Sequence, residues 1–115
     1  MLRSGAIAIR LCRYSGANAR PPRSLTTSAE TFNTSFIRRL TRELNTLPQP
    51  KGVYHCPMDD GKAILIEAGY RDLKPQHVVV GLSGCGWVTN GWTDVGGPSP
   101  QLARVVQLLE ELVGR

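Results

Sequence analysis

No acidic residue stands before Glu30, and no run of about eighteen apolar residues occurs anywhere in the 115-residue chain. The second absence excludes a membrane-spanning helix. Cysteine and histidine are scarce, at three and two residues. Zinc needs four converging ligands, normally paired at short spacings, and His55, Cys56, His77 and Cys85 offer no such pairing. No metal site is therefore expected. No phosphate-cradling glycine loop is present, and no cofactor is expected either.

The absence of early acids also locates the net charge of +5. Arg3, Arg10, Arg13, Arg20 and Arg23 precede Glu30, and from Glu30 onward nine Lys/Arg balance nine Asp/Glu. The body of the chain has no basic surplus to neutralise phosphates, so nucleic-acid binding is not expected. At this length the chain is one domain with a modest core, for which a covalent staple would matter.

The first thirty residues admit two readings. They are Arg-rich, Ser-rich and acid-free, with Arg3/Arg10 and Arg13/Arg20 each seven apart, the composition of a mitochondrial transit peptide cleaved near Arg23 to Ser28. Alternatively, residues 5–15 form a strand. Ile7, Ile9 and Leu11 would then alternate onto one face and Ala8, Arg10 and Cys12 onto the other.

Beyond a loop over 16–28, the spacing of Phe32, Phe36, Leu40 and Leu44 predicts a helix over 29–46, capped by Ser28 or Thr31 and ended by LPQP. Asn33-Thr34-Ser35 matches a glycosylation acceptor but falls inside that helix. Residues 53–92 read as hairpin-connected strands. VYHCPM leads to an Asp59-Asp60-Gly61 turn, then KAILIEAGY with Ile64, Ile66 and Tyr70 on one face and Leu65 and Glu67 on the other. HVVVGL and GCGWVTNG follow, to an Asn90-Gly91 turn and a DVGGPSP loop. A second helix over 99–113 has Ser99 as N-cap, Pro100 at its first position, and a stripe of Leu102, Val105, Val106, Leu109, Leu112 and Val113. The expected fold is α+β, an antiparallel sheet of about four or five strands with two helices on one face.

Among candidate sites, Cys56 and Cys85 are 29 apart and each adjoins turn chemistry. A bridge closing that loop would contribute roughly 3–4 kcal/mol; two buried free thiols are the alternative. A nucleophilic Cys85 would require a base, and only His55 and His77 exist. GLSGCG fails as a nucleophile elbow because Cys85 stands where Gly-x-Ser-x-Gly requires its last glycine. The loop carboxylates Asp59 and Asp60 are explained by their turn. Trp87 and Trp92 bracket the Asn-Gly turn, either as an exposed contact patch or as one core and one edge residue. No catalytic residue is assigned.

The combination LCRYSG (11–16), LTRELNTLP (40–48), CPMDDG (56–61), GY (69–70) and VVVGLSGCGWVTNG (78–91) resembles an uncharacterised family of small secreted or lipoprotein-like domains common in actinobacteria. The resemblance spans the chain from about residue 7. It implies an exported domain with no known activity, a structural strand at LCRYSG, and a bridge between Cys56 and Cys85. Cys12 is then an unpaired thiol, its partner expected upstream of Met1 along with the leader that such proteins carry. The expected function is a non-catalytic extracytoplasmic binding domain that meets a protein partner, or covers itself with an upstream segment, through Trp87 and Trp92. The runner-up is a secreted protease inhibitor, from a weaker likeness to subtilisin-inhibitor-like proteins. A mitochondrial protein, or an enzyme using Cys85 or the Asp59/Asp60 turn with His55, are further alternatives.

Overall fold

The computed structural model describes residues 1–49, 59–97 and 99–114. It is an α+β fold built on one six-stranded antiparallel sheet. The elements in chain order are β1 (Ala8–Tyr14), β2 (Leu25–Thr31), α1 (Thr34–Asn45), β3 (Ala63–Gly69), β4 (Gln76–Gly81), β5 (Trp87–Thr89), β6 (Asp94–Gly96) and α2 (Pro100–Val113). Across the sheet they run β2-β1-β3-β4-β5-β6. Because β2 and β3 both pair antiparallel to β1, they point the same way, and α1 lies between them in the chain as in a split β-α-β unit.

Alternation along the strands sets which face is covered. Ile9 and Leu11 of β1, Ile64, Ile66 and Ala68 of β3, Val78 and Val80 of β4, and Val88 of β5 are fully buried. They form one cluster with Ile37, Leu40 and Leu44 of α1 and Leu102, Val105, Leu109 and Val113 of α2. Both helices therefore sit on this one face. At its end, the Arg13 guanidinium donates to the Gly114 carbonyl beyond α2. Ser99 caps α2 as expected, its hydroxyl accepting from the Leu102 amide at 3.1 Å. Within the α2 stripe, Val106 and Leu112 are only half-buried and Leu108 takes a buried place instead.

Several expectations need correction. The sheet has six strands, not four or five, because β2 occupies part of the expected 16–28 loop and β6 part of the DVGGPSP loop. Helix α1 begins at Thr34 rather than 29. Asn33 is the N-cap, its Oδ1 accepting from the Phe36 amide at 3.0 Å. Phe32 lies outside the helix and is 69% exposed, so its four-residue spacing from Phe36 has no packing behind it. Residues 25–31 pair instead with β1 through backbone bonds, which ask nothing of side-chain periodicity. Asn33 of the glycosylation triplet is thus an exposed cap and not a helix-interior residue.

Residues 8–14 do form a strand, with Ile9 and Leu11 inward. Ile7 is half-exposed, because it precedes the ladder and joins it only through its amide, which donates to the Gly69 carbonyl at 2.9 Å. The expected VYHCPM strand lies outside the described residues.

Candidate functional site

The face of the sheet opposite the helices carries the residues between the buried ones. Cross-strand register arranges them in rows. One row runs Glu30, Arg10, Glu67, His77; the next Ser28, Cys12, Leu65, Val79, Thr89; a third joins Leu25, Tyr14, Ala63 and Gly81. Trp87 of β5 continues the third row, its backbone against Gly81. Val79 is 39% exposed, Trp87 52% and Leu25 54%. Leu65 of β3, Val79 of β4 and Trp87 of β5 thus share this face with Glu67 and His77, while Ile64 and Ile66 are on the covered one. His77 Nε2 lies 2.9 Å from Glu67 Oε2.

Trp92 is 94% exposed at the tip of the β5–β6 turn. Gly91 supplies the positive φ of 90° that the turn requires, and Asn90 Oδ1 accepts from the amides of Trp92 and Thr93 at 2.9 and 2.8 Å. The two tryptophans stand at opposite ends of the β5–β6 ribbon, since Trp87 pairs with Gly96 whereas Thr89 and Asp94 flank the turn. Trp87 belongs to the open sheet face, while Trp92 lines a polar cleft with Arg3, Lys74, Gln76, His77 and Asn90.

The Asp59-Asp60-Gly61 turn is a structural knot. Asp59 Oδ1 accepts from the Gly61 amide at 2.8 Å, and Asp60 Oδ1 from the Lys62 amide at 3.1 Å. The Ser83 Oγ lies 2.7 Å from one carboxylate oxygen of each aspartate and accepts from the Asp60 amide at 3.2 Å. The Asp60 carbonyl accepts in turn from the Ala17 amide, where only glycine fits at position 16: a Cβ there would stand 2.8 Å from that carbonyl oxygen. Loops 15–24, 59–62 and 82–86 are thereby tied together. The Gly61 amide and then the Ser83 hydroxyl hold the Asp59 carboxyl below its ordinary pKa, and the Ser83 hydroxyl and then the Lys62 amide do the same for Asp60. Both aspartates are thus engaged in holding the loops, and among the described residues no three His, Cys, Asp or Glu converge.

Cys85 is nearly buried against the start of α2, beside Ser99 and Leu102. It is engaged rather than free. Its expected partner Cys56 and the candidate base His55 lie outside the described residues. The other histidine, His77, is on the open face, four positions or about 13 Å along β4 from Gly81. Cys12 is a free thiol, half-buried on the open face.

The segment before β1 is anchored at Met1, Leu2 and Arg3. Leu2 is buried. Gln76 Nε2 and Asn90 Nδ2 both donate to the Met1 carbonyl at 2.9 Å, and Gln76 Oε1 accepts from the Arg3 amide at 2.8 Å. The Tyr70 hydroxyl donates to the Arg3 carbonyl, and burial pushes that phenol's pKa up, keeping it a donor. No local pattern announces these contacts, because in each a side chain meets a backbone group distant in sequence.

No family model, curated protein or solved structure matches the chain. Among the described residues no helix is long and apolar enough to cross a membrane.

Proposed function

We propose that this chain is a non-catalytic, extracytoplasmic binding domain that works by surface contact. The observation that carries this reading is the open sheet face, where Leu65, Val79 and Trp87 stand beside a charged row on the side away from α1 and α2. A mixed apolar face of this kind on a single domain marks an interaction surface. Nucleic acid is an unsuitable partner for a face whose charges alternate in sign; a protein surface suits it.

The export reading is supported by the resemblance carried by LCRYSG, CPMDDG and GLSGCGWVTNG, and by the cysteines. Cys85 is engaged while Cys12 is free, which suits a bridge between Cys85 and Cys56, a bond that persists in oxidising compartments. The central position of β1 speaks against the mitochondrial alternative, because cleavage near Arg23 to Ser28 would remove a strand paired on both sides.

Native labelling with iodoacetamide without reductant, followed by non-reducing digestion and mass spectrometry, tests the reading. Label on Cys12 alone, with a peptide joining Cys56 to Cys85, is the expected outcome. Rapid labelling of Cys85 would overturn it in favour of a reactive thiol.

A further inference from the structure

We infer that the open sheet face packs against the same face of a second copy of this chain, about a two-fold axis running along the strands between β1 and β3. The inference rests on the contact-surface reading above and names the occupant of that face.

The argument is one of self-complementarity. Such an axis exchanges β1 with β3 and β2 with β4, so each residue meets the counterpart of its own cross-strand neighbour. Arg10 then faces Glu67 of the other copy, and Glu67 faces Arg10. Glu30 faces His77 in the same row. A row of four that alternates acid and base, once reversed, opposes unlike groups at every position. The rows beside it match by size. Tyr14 meets Ala63, Ala8 meets Gly69, Cys12 meets Leu65, and Leu25 meets Gly81. An axis along the rows instead would stack Glu30 near Glu30 and Arg10 near Arg10, which like charge opposes.

A second observation agrees. Arg10 and Glu67 are cross-strand neighbours, yet Glu67 is bound to His77, and Arg10 makes no ion pair among the described residues. Its guanidinium is left facing outward, where a carboxylate on an opposing sheet would meet it. Two sheets packed face to face keep their strands roughly aligned, which this axis allows.

Area sets the strength. The axis overlaps four strands, β2, β1, β3 and β4, which at about 4.8 Å apart and some seven residues long offer roughly 450 Å² on each copy. The total, about 900 Å², falls just under what a stable specific interface buries and within the range of weak, transient contacts. The association is therefore weak and reversible, sensitive to salt through the Arg10–Glu67 pairs.

Sedimentation equilibrium of the full chain in low salt tests this. The weight-average mass should climb from 12.6 kDa toward twice that value as concentration rises from about 10 µM to about 1 mM, the range of weak complexes. Arg10→Glu and Glu67→Lys should each remain monomeric, since each places like charges across the axis twice. Mixed in equal amounts they should associate, because the mixed pair opposes unlike charges at both places. Alkylation of Cys12 in the unmutated chain should slow several-fold over the same concentration range. A chain that stays monomeric at about 1 mM, or Cys12 labelling independent of concentration, overturns the inference, as does failure of the two folded variants to associate when mixed. Acrylamide quenching of Trp87 in a Trp92→Phe background separates this from the contact-surface reading. Free quenching in a persistent monomer rejects only the second copy as occupant, whereas a shielded Trp87 in that monomer rejects the open face itself.

Discussion

Asn45, the last residue of α1, grips the backbone of Leu2 with both ends of its side-chain amide. The Leu2 amide donates to Asn45 Oδ1 at 2.8 Å, and Asn45 Nδ2 donates to the Leu2 carbonyl at 2.9 Å. The carboxamide thus does what a neighbouring strand would do, satisfying both polar groups of a residue whose side chain is 3% exposed. The N-terminal segment is in this way part of the core assembly, held at one end by α1 and at the other by β1.

Replacing Asn45 with Asp removes the donor and sets a carboxylate against the Leu2 carbonyl. A loss of about 1–3 kcal/mol is expected, read from chemical denaturation. Deleting residues 1–24 takes away this clamp together with β1, and the remainder should lose its cooperative thermal transition. Retention of the full-length melting temperature would show that these residues are dispensable.

The start of α1 is tested by two neighbouring substitutions. Asn33→Ala removes the cap on the Phe36 amide and should cost about 1 kcal/mol. Phe32→Ser, at a side chain 69% exposed, should change stability by no more than about 0.5 kcal/mol. A helix beginning at residue 29 would reverse that order.

Ser83→Ala should alter the acid limb of stability. Asp59 and Asp60 have folded-state pKa values below the ordinary 3.8, so their contribution is complete above that value and is lost as pH falls through the depressed folded values. The alanine variant lacks the Ser83 donor, and its carboxyls titrate closer to normal. Its melting temperature should lie below that of the unmodified chain at neutral pH, and the gap should narrow as the pH drops below about 4. A gap unchanged by acid would mean that the hydroxyl matters only for packing.

Gly96→Ala should be strongly disruptive. Gly96 has φ of 128°, and a Cβ there would approach the Gly86 carbonyl oxygen to 2.5 Å. The obstacle is backbone, which cannot swing aside, so a loss of about 2 kcal/mol or more is expected. Gly91→Ala is the control. Its φ of 90° is also positive, but a Cβ there meets nothing within 4 Å, and its cost should be the smaller of the two.

What the amino-acid sequence determined by itself is what local physics encodes. Ile64 and Ile66 set against Leu65 and Glu67 marked β3, and the β-branched run Val78, Val79 and Val80 marked β4 without choosing its covered face. The Asn90-Gly91 pair made the turn, and Ser99 with Pro100 opened α2, since caps and turns are satisfied within four residues of themselves. Ile9 and Leu11 offered β1 as one of two readings of the first thirty residues, and its pairing with β2 and β3 decided for the strand. Only the tertiary structure decided the rest. LTTSAET has no apolar face, and it is a strand because β1 offers it a row of backbone partners. Phe32 kept a helical spacing but had no neighbouring surface to bury it. Trp87 and Trp92, five residues apart, were carried to opposite ends of a ribbon by pairing with Gly96 and by the turn. The grip of Asn45 on Leu2 spans 43 positions of chain, and such a bond depends on where packing places two backbones, which no local pattern of residues records.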